Sequence, residues 1–297
     1  MARCLLLLTL LSLAAVAVHA QGMSDDYVRE RTQARYERPH GLTFSWDLLV
    51  EGLLLTQEQK VFADGIPADT LAYDEFDGQD IGIFAETELR MRFSWHDSIS
   101  FGYGFHVLRS FVDETDEAVG FNGVLYPAGV DADYGSDWHE FRLLYRRDLF
   151  RLGLADSFTF FVEAGLEWSL VSAKLGSDTF TVTDDRDTEK FSELLPWYCI
   201  GLGFDWELSN SLVLSVQARG SYLNGFPTFQ KRDDESVNQA VLSLAGTVGL
   251  DWALTDWFSL LLRGKYRYFQ AKLYSDIRTD EFFFGGMGVQ AGIGFRF

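Results

Sequence analysis

Cysteine is nearly absent. The chain of 297 residues has 2, Cys4 and Cys199, and they cannot supply a disulfide framework once the N-terminal segment is considered. Residues 1–20 carry one positive charge, Arg3, then an apolar run from Leu5 to Val18 and a small-x-small site at Val18-His19-Ala20. That pattern predicts a cleavable secretory signal, which removes Cys4 and leaves Cys199 without an intramolecular partner. Cys4 lies before the apolar run, so no lipoprotein is expected. Long apolar runs are also missing: no later stretch approaches the ~18 residues of a spanning helix, which excludes a helical membrane protein. Excess positive charge is the third absence. Lys and Arg number 25 against 44 Asp and Glu, a net charge of −19, opposite to that of a nucleic-acid binder. There is no P-loop, dinucleotide fingerprint or metal-ligand spacing. No cofactor, metal or nucleic-acid partner is expected.

What the chain does have is a period of two. In residues 80–95, Ile81, Ile83, Ala85, Thr87, Leu89, Met91, Phe93 and Trp95 fall on one face of a strand. Gly82, Phe84, Glu86, Glu88, Arg90 and Arg92 fall on the other. A helix would mix these sets. The same division recurs and predicts ten strands, at about 42–56, 80–95, 99–112, 137–147, 157–175, 194–208, 212–225, 238–254, 258–274 and 282–297. The chain closes on Gly292-Ile293-Gly294-Phe295-Arg296-Phe297, an alternating segment with Phe295 and Phe297 at its end. With the export signal, this C-terminal aromatic strand resembles the bacterial outer-membrane β-barrel proteins. The resemblance implies a Gram-negative cell envelope, an outer-membrane location, and recognition of Phe295 and Phe297 by the barrel-assembly machinery. A soluble β-sandwich would alternate too, but its strands would be shorter and its loops would not alternate in length.

The fold expected is therefore all-β, a transmembrane antiparallel up-and-down barrel of about ten strands, with eight or twelve as alternatives. Residues 1–20 form the signal peptide, 21–41 a periplasmic leader and 42–297 the barrel. The leader holds Asp25, Asp26, Glu30 and Glu37 against Arg29, Arg31, Arg35 and Arg38; it is expected to be solvated, with a lumen plug as the sharper alternative. Connections at 96–98, 209–211 and 255–257 are tight and polar, that at 148–156 is longer, and those at 57–79, 113–136, 176–193, 226–237 and 275–281 are long. Short periplasmic turns and long outer loops are the asymmetry of this class. Aromatics make up 15% of residues. Trp46, Trp95, Trp206, Trp252, Trp257, Phe258 and Phe297 fall near the short turns, and Trp138, Trp168, Tyr222 and Tyr268 near the long loops. Two interfacial belts in contact with outer-membrane lipids account for both groups.

Sorted by face, the charges predict the interior. The expected lumen acids are Asp47, Glu51, Glu86, Glu88, Glu140, Glu163, Glu167, Asp205, Glu207 and Asp251. The expected lumen bases are Arg90, Arg92, Arg142, Arg146, Arg219, Arg263, Lys265, Arg267 and Arg296. Ten acids against nine bases suit a narrow barrel, where a desolvated charge is tolerated only when paired. A cation pore would be acid-dominated and an anion pore basic. Gly286, Gly288, Gly292 and Gly294 face inward beside the strand of Arg263, Lys265 and Arg267, leaving room for those cations. An interlocked network with little open channel is expected, and a small channel is the alternative function.

The negative charge lies outside. The five long connections hold 24 acidic and 6 basic residues. Asp113, Glu114, Asp116 and Glu117 form one cluster, and Asp184, Asp185, Asp187 and Glu189 another. Such loops could hold divalent cations, although no EF-hand spacing is present, or recruit basic peptides. In size the chain resembles the ten-stranded omptin proteases, which place an Asp pair and an Asp-His pair on facing walls. Asp113 and Asp116 stand at the matching height, but Asn224-Gly225-Phe226-Pro227-Thr228-Phe229-Gln230, where the second pair should fall, has neither Asp nor His. Without that base water is not activated. His96-Asp97-Ser98 has the His-x-Ser spacing of outer-membrane lipid-processing enzymes, but in a predicted turn, where Asp and Ser are ordinary. His106 points inward and His139 outward, neither beside a Ser or Asp partner. The function expected is a non-enzymatic barrel scaffold for acidic surface loops, serving envelope structure or surface interaction.

Overall fold

The computed structural model describes residues 42–297 apart from 64–68, 73–80, 95, 116–117, 122–123, 153–156, 180–189, 233–234 and 275–277. The signal segment, the leader, Trp95, Asp116, Glu117, Asp184, Asp185 and Asp187 lie outside the described residues. The chain forms β1 (Thr43–Ala63), β2 (Asp69–Ala72), β3 (Ile81–Arg92), β4 (Asp97–Val112), β5 (Val119–Phe121), β6 (Val124–Tyr126) and β7 (Ala132–Leu152). It continues through β8 (Phe158–Gly176), β9 (Lys190–Ser209), β10 (Leu212–Arg232), β11 (Glu235–Ala253), β12 (Phe258–Tyr274) and β13 (Arg278–Arg296). Ten of these are long neighbours in an antiparallel ring that closes where β13 pairs with β1. The terminal rung is held by Phe44 N–H to the Phe297 carbonyl at 3.1 Å and Phe297 N–H to the Phe44 carbonyl at 2.9 Å. Pairing of β13 with β1 closes the ring, which is why a barrel can stand in lipid where an open sheet cannot.

All ten expected strands are present, and several are longer than expected. Residues 226–237 and 275–281 are not long loops: β10 and β11 run on to Arg232 and Glu235, and β12 and β13 to Tyr274 and Arg278. Gly225 and Pro227 suggest a turn in the sequence, but the strand absorbs them. Bulges relative to β11 fall between Leu223 and Phe226 and between Pro227 and Lys231, and Gly225 takes φ 70°, open to a residue without Cβ. The 113–136 connection is shortened by β7, which begins at Ala132, and it carries the β5–β6 hairpin.

Alternation along each strand sends one set of side chains outward and the other inward. Trp46, Trp206, Trp252, Trp257 and Phe297 are exposed on the outside near the short turns. Trp257 stacks on Phe295 with ring centroids 6.3 Å apart. Toward the long-loop end, Tyr222 is exposed, Trp168 stacks against Phe141 and Tyr268 meets Phe283 edge-on. Trp138 departs from the expected belt. It shares parity with Glu140 and Arg142, faces inward, is 4% exposed, and donates its indole N–H to Ser169 Oγ at 2.8 Å.

Candidate functional site

The interior is built in three levels. The long-loop level is apolar: Phe84, Trp138, Val171, Leu195, Trp197 and Phe269 belong to one buried cluster. Trp138 and Trp197 pack on Phe269 from two sides, with centroids 5.1 and 5.0 Å away. Tyr126, from the β5–β6 hairpin, is drawn into the same cluster. It is 1% exposed and donates its hydroxyl to the Leu175 carbonyl at 3.0 Å. The hairpin is thereby tied to this apolar level, the stopper of the lumen's long-loop end. The sequence predicts an interlocked charge network inside the barrel; this apolar level is an addition to it.

The middle level is a knot around Glu86. Its carboxylate accepts from Arg142, from Lys265 Nζ at 2.6 Å, from Gln290 Nε2 at 3.0 Å and from Arg267 at 3.3 Å. Those partners come from β7, β12 and β13, so one side chain of β3 joins several walls. Arg267 also donates to Glu140 Oε2 and to His106 Nε2, both at 3.0 Å. Gln290 donates to Glu51 at 2.6 Å. Beside this knot, Arg219 pairs with Glu167 at 3.3 Å and Gln217 donates to Glu163 at 2.5 Å. Each of these carboxylates and guanidiniums, removed from bulk water, has an ionic or hydrogen-bonding partner, the condition under which buried charge is tolerated.

The short-turn level is a vestibule. A cavity of about 660 Å³ lies there, lined by Asp47, Glu88, Arg90, Arg146, Asp205 and Arg263 among others. Arg263 meets Asp47 at 2.6 Å, Arg90 meets Glu88 at 2.8 Å and Arg296 meets Asp251 at 2.7 Å. Arg146 bridges Asp148 and Asp205, at 2.8 and 2.6 Å, and lies over the Phe161 ring. Asp148 was expected in a connection; it is a buried lumen acid, and it also takes Arg92 at 3.4 Å.

The room for these cations is made by glycine on the adjoining strand. Directly across the ladder, Arg142 faces Gly102, Arg219 faces Gly201, Arg263 faces Gly249, Lys265 faces Gly288 and Arg267 faces Gly286. A Cβ at Gly102 would stand 3.0 Å from Arg142 Nε, and one at Gly201 would stand 2.5 Å from Arg219 Cγ. The glycines of β13 were legible in the sequence, whereas Gly102, Gly201 and Gly249 needed the register. Gly292 and Gly294 serve a different end. A Cβ at Gly292 would meet the Leu48 carbonyl at 2.0 Å, and one at Gly294 would meet Ser259 Oγ at 2.7 Å.

The remaining candidates stay apart. His139 faces outward and shares a hydrogen bond of 2.9 Å with the Tyr103 hydroxyl. In the 94–98 turn, Ser94 Oγ donates to Asp97 at 2.7 Å and accepts the Asp97 N–H at 2.9 Å, ordinary turn chemistry, while Ser98 is buried inside the barrel. Asp113 and Glu114 are exposed after β4. Among the described residues no group of three or more His, Cys, Asp or Glu side chains is placed to hold a metal ion. At the long-loop end Asp131 clasps the exit of β8. It accepts N–H bonds from Asp178 at 2.7 Å and Thr179 at 2.9 Å, and hydroxyl bonds from Thr179 and from Ser177, the latter at 2.9 Å. The Thr179 hydroxyl and then the Asp178 N–H hold its carboxyl below the usual carboxylate range.

Among solved structures, the outer membrane protease OmpT from Escherichia coli is similar with a TM-score of 0.53 at 12% identity, over 86% of this chain and 97% of that one. The fold is that of an outer-membrane β-barrel. The translocator domain of the autotransporter NalP from Neisseria meningitidis is similar at a TM-score of 0.42 and 14% identity, over 95% of this chain and 97% of that one. No protein-family model and no curated protein matches the chain. Identity this low carries the barrel fold and not the protease. In this barrel, residues 224–230 form part of β10 and contain neither Asp nor His.

Proposed function

We propose that this chain is an outer-membrane protein whose barrel is a closed, non-enzymatic scaffold presenting acidic loops for surface interaction or envelope structure. The observation that carries this reading is the double closure of the lumen, by the Glu86 knot and by the apolar level above it. A knot of paired charges gives no single-sign lining to select an ion, and the apolar cluster of the described residues above it opposes the passage of water. The short turns then lie in the periplasm and the long-loop end outside the cell. Phe295 and Phe297, on the strand that closes the ring, would be the signal for the barrel-assembly machinery. Outer-membrane lipids would meet the aromatic belts. Basic peptides or divalent cations would meet Asp113, Glu114, Asp116, Glu117, Asp184, Asp185 and Asp187.

The test is osmotic swelling of proteoliposomes carrying the refolded protein, run beside mass spectrometry of lipids and peptides incubated with it. No sugar uptake and intact substrates are expected. Uptake of small sugars would replace the scaffold with a channel, and cleaved lipid or peptide would replace it with an enzyme.

A further inference from the structure

One junction of the ring is open. From the turn at Asn210 the β9–β10 ladder climbs to its last rung, Ile200 with Gly220. Both strands continue beyond it. β9 stays paired with β8 as far as Lys190 with Lys174, and β10 stays paired with β11 as far as Arg232 with Glu235. The facing edges, residues 190–199 and 221–232, do not pair with each other. Among the other junctions of the described residues, that of β1 with β3 also ends early, at Glu51 with Phe84, but there β2 pairs with the β1 edge at residues 58–61.

Local chemistry maintains the opening. Pro196 has no N–H to give to a ladder, and its carbonyl accepts from Gln239 Nε2, on β11, at 2.6 Å. Tyr198 donates its hydroxyl to the Tyr222 carbonyl at 2.8 Å, where the next rung would lie. The bulges of β10 and the positive φ of Gly225 then steer that strand away. Two polar groups are left over at the seam: Gln239 Oε1, on a side chain with no exposure, and Ser221 Oγ, on one 6% exposed, are buried without a partner.

The seam begins at the outer membrane boundary. At about 3.4 Å per residue and a tilt of about 40°, the paired part of β9–β10 climbs roughly 20–25 Å, close to the apolar band of such barrels. Tyr198 and Tyr222 stand exposed there as belt residues. Above that height an edge meets water, where open backbone groups are tolerated; within hydrocarbon they are not.

We propose that the seam is a docking slot for an extended basic peptide presented outside the cell, which pairs its backbone with the edges of β9 and β10 as an added strand. This rests on the outer-membrane reading above. Apart from Pro196 and the Tyr222 carbonyl, which are already engaged, two facing strand edges offer main-chain donors and acceptors that an extended polypeptide matches on both sides. A lipid acyl chain matches none, and the space beneath is already filled by Leu195, Trp197 and Val237. The sign of the peptide follows from the sequence of the edges and their flanks: residues 184–193 and 221–235 hold eight acids against four bases, Arg186, Lys190, Lys231 and Arg232.

The test uses the full-length protein refolded in lipid nanodiscs, with folding checked by heat-dependent gel mobility. A labelled peptide of about twelve residues, alternating Lys and Val, is titrated by fluorescence anisotropy beside the same peptide N-methylated at alternate residues. Methylation keeps the charge and removes backbone donors. The parent peptide is expected to bind and to slow hydrogen exchange at residues 194–199 and 222–224, and methylation to weaken binding by at least about tenfold, the loss of a few net hydrogen bonds. Equal binding of the two peptides overturns the slot while leaving recruitment by acidic loops intact. Binding of neither overturns the slot and peptide recruitment together. Protection of the same amides by a retained outer-leaflet lipid overturns the slot in favour of lipid.

Discussion

The two ends of the lumen obey different rules. Among the described side chains, the short-turn half gathers interior charge around a cavity, and the long-loop half packs aromatic against aliphatic side chains. Arg263 and Asp47, in the vestibule, are about one-fifth exposed, and Trp138 and Phe269, in the stopper, are nearly sealed. Glu86 sits where the regimes meet, 7% exposed, and gathers partners from several strands. The contrast teaches that two different devices span this lumen, electrostatic pairing around Glu86 and apolar packing above it, and the proposed closure rests on both. Each device can be broken without the other.

The largest effect is expected at the meeting point. Glu86→Ala strips Arg142, Lys265 and Arg267 of their shared anion, and uncompensated buried charge costs about 3–5 kcal/mol. Urea unfolding of the barrel in bilayers should show a loss of that order; a loss below about 1 kcal/mol would mean that water, not pairing, carries these charges. The stopper should be the next most sensitive. Trp138→Ala removes a buried indole and its bond to Ser169, costing about 3 kcal/mol, and it should leave the Glu86 knot unchanged. A wild-type unfolding midpoint would show that the upper level is not packed as described.

A smaller cost is expected in the wall that both levels share. At Gly165 a Cβ would meet the Leu143 carbonyl at 2.0 Å, so Gly165→Ala should cost about 1–3 kcal/mol through displaced backbone. Gly246, with nothing near its Cβ, is the control: Gly246→Ala should leave stability within about 0.5 kcal/mol. The smallest effect lies outside the lumen, at the Asp131 clasp. Its carboxyl is depressed in the folded state, so its contribution is present above the ordinary carboxylate range and is lost only as pH falls below it. The protection of the Asp178 and Thr179 amides, measured against their intrinsic exchange rates, should therefore hold at pH 5 and fall on stronger acidification, and in Asp131→Asn it should lose that pH dependence.

Much of this was legible before the fold. Ten strands and the inward set from Asp47 to Arg296 follow from a period of two, because a barrel forces alternate residues to opposite media. Trp138 and Asp148 were legible in principle, since each shares parity with Arg142 and Arg146. They were misplaced by weighing residue type and turn proximity above parity. The extension of β10 through Gly225 and Pro227 was hidden because bulges and turns use the same residues. The cation–glycine pairs across strands, the intrusion of Tyr126 into the mouth and the open β9–β10 seam depend on register and long-range packing. A single strand's pattern does not encode these.

The central claim is that the lumen is closed to water. Single-channel recording of the refolded wild-type protein in a planar bilayer addresses it most directly, with folding confirmed separately. The account predicts silence in the wild type at ordinary salt. Stable, ion-selective steps would contradict it, and would mean that the charges around Glu86 line a conducting path.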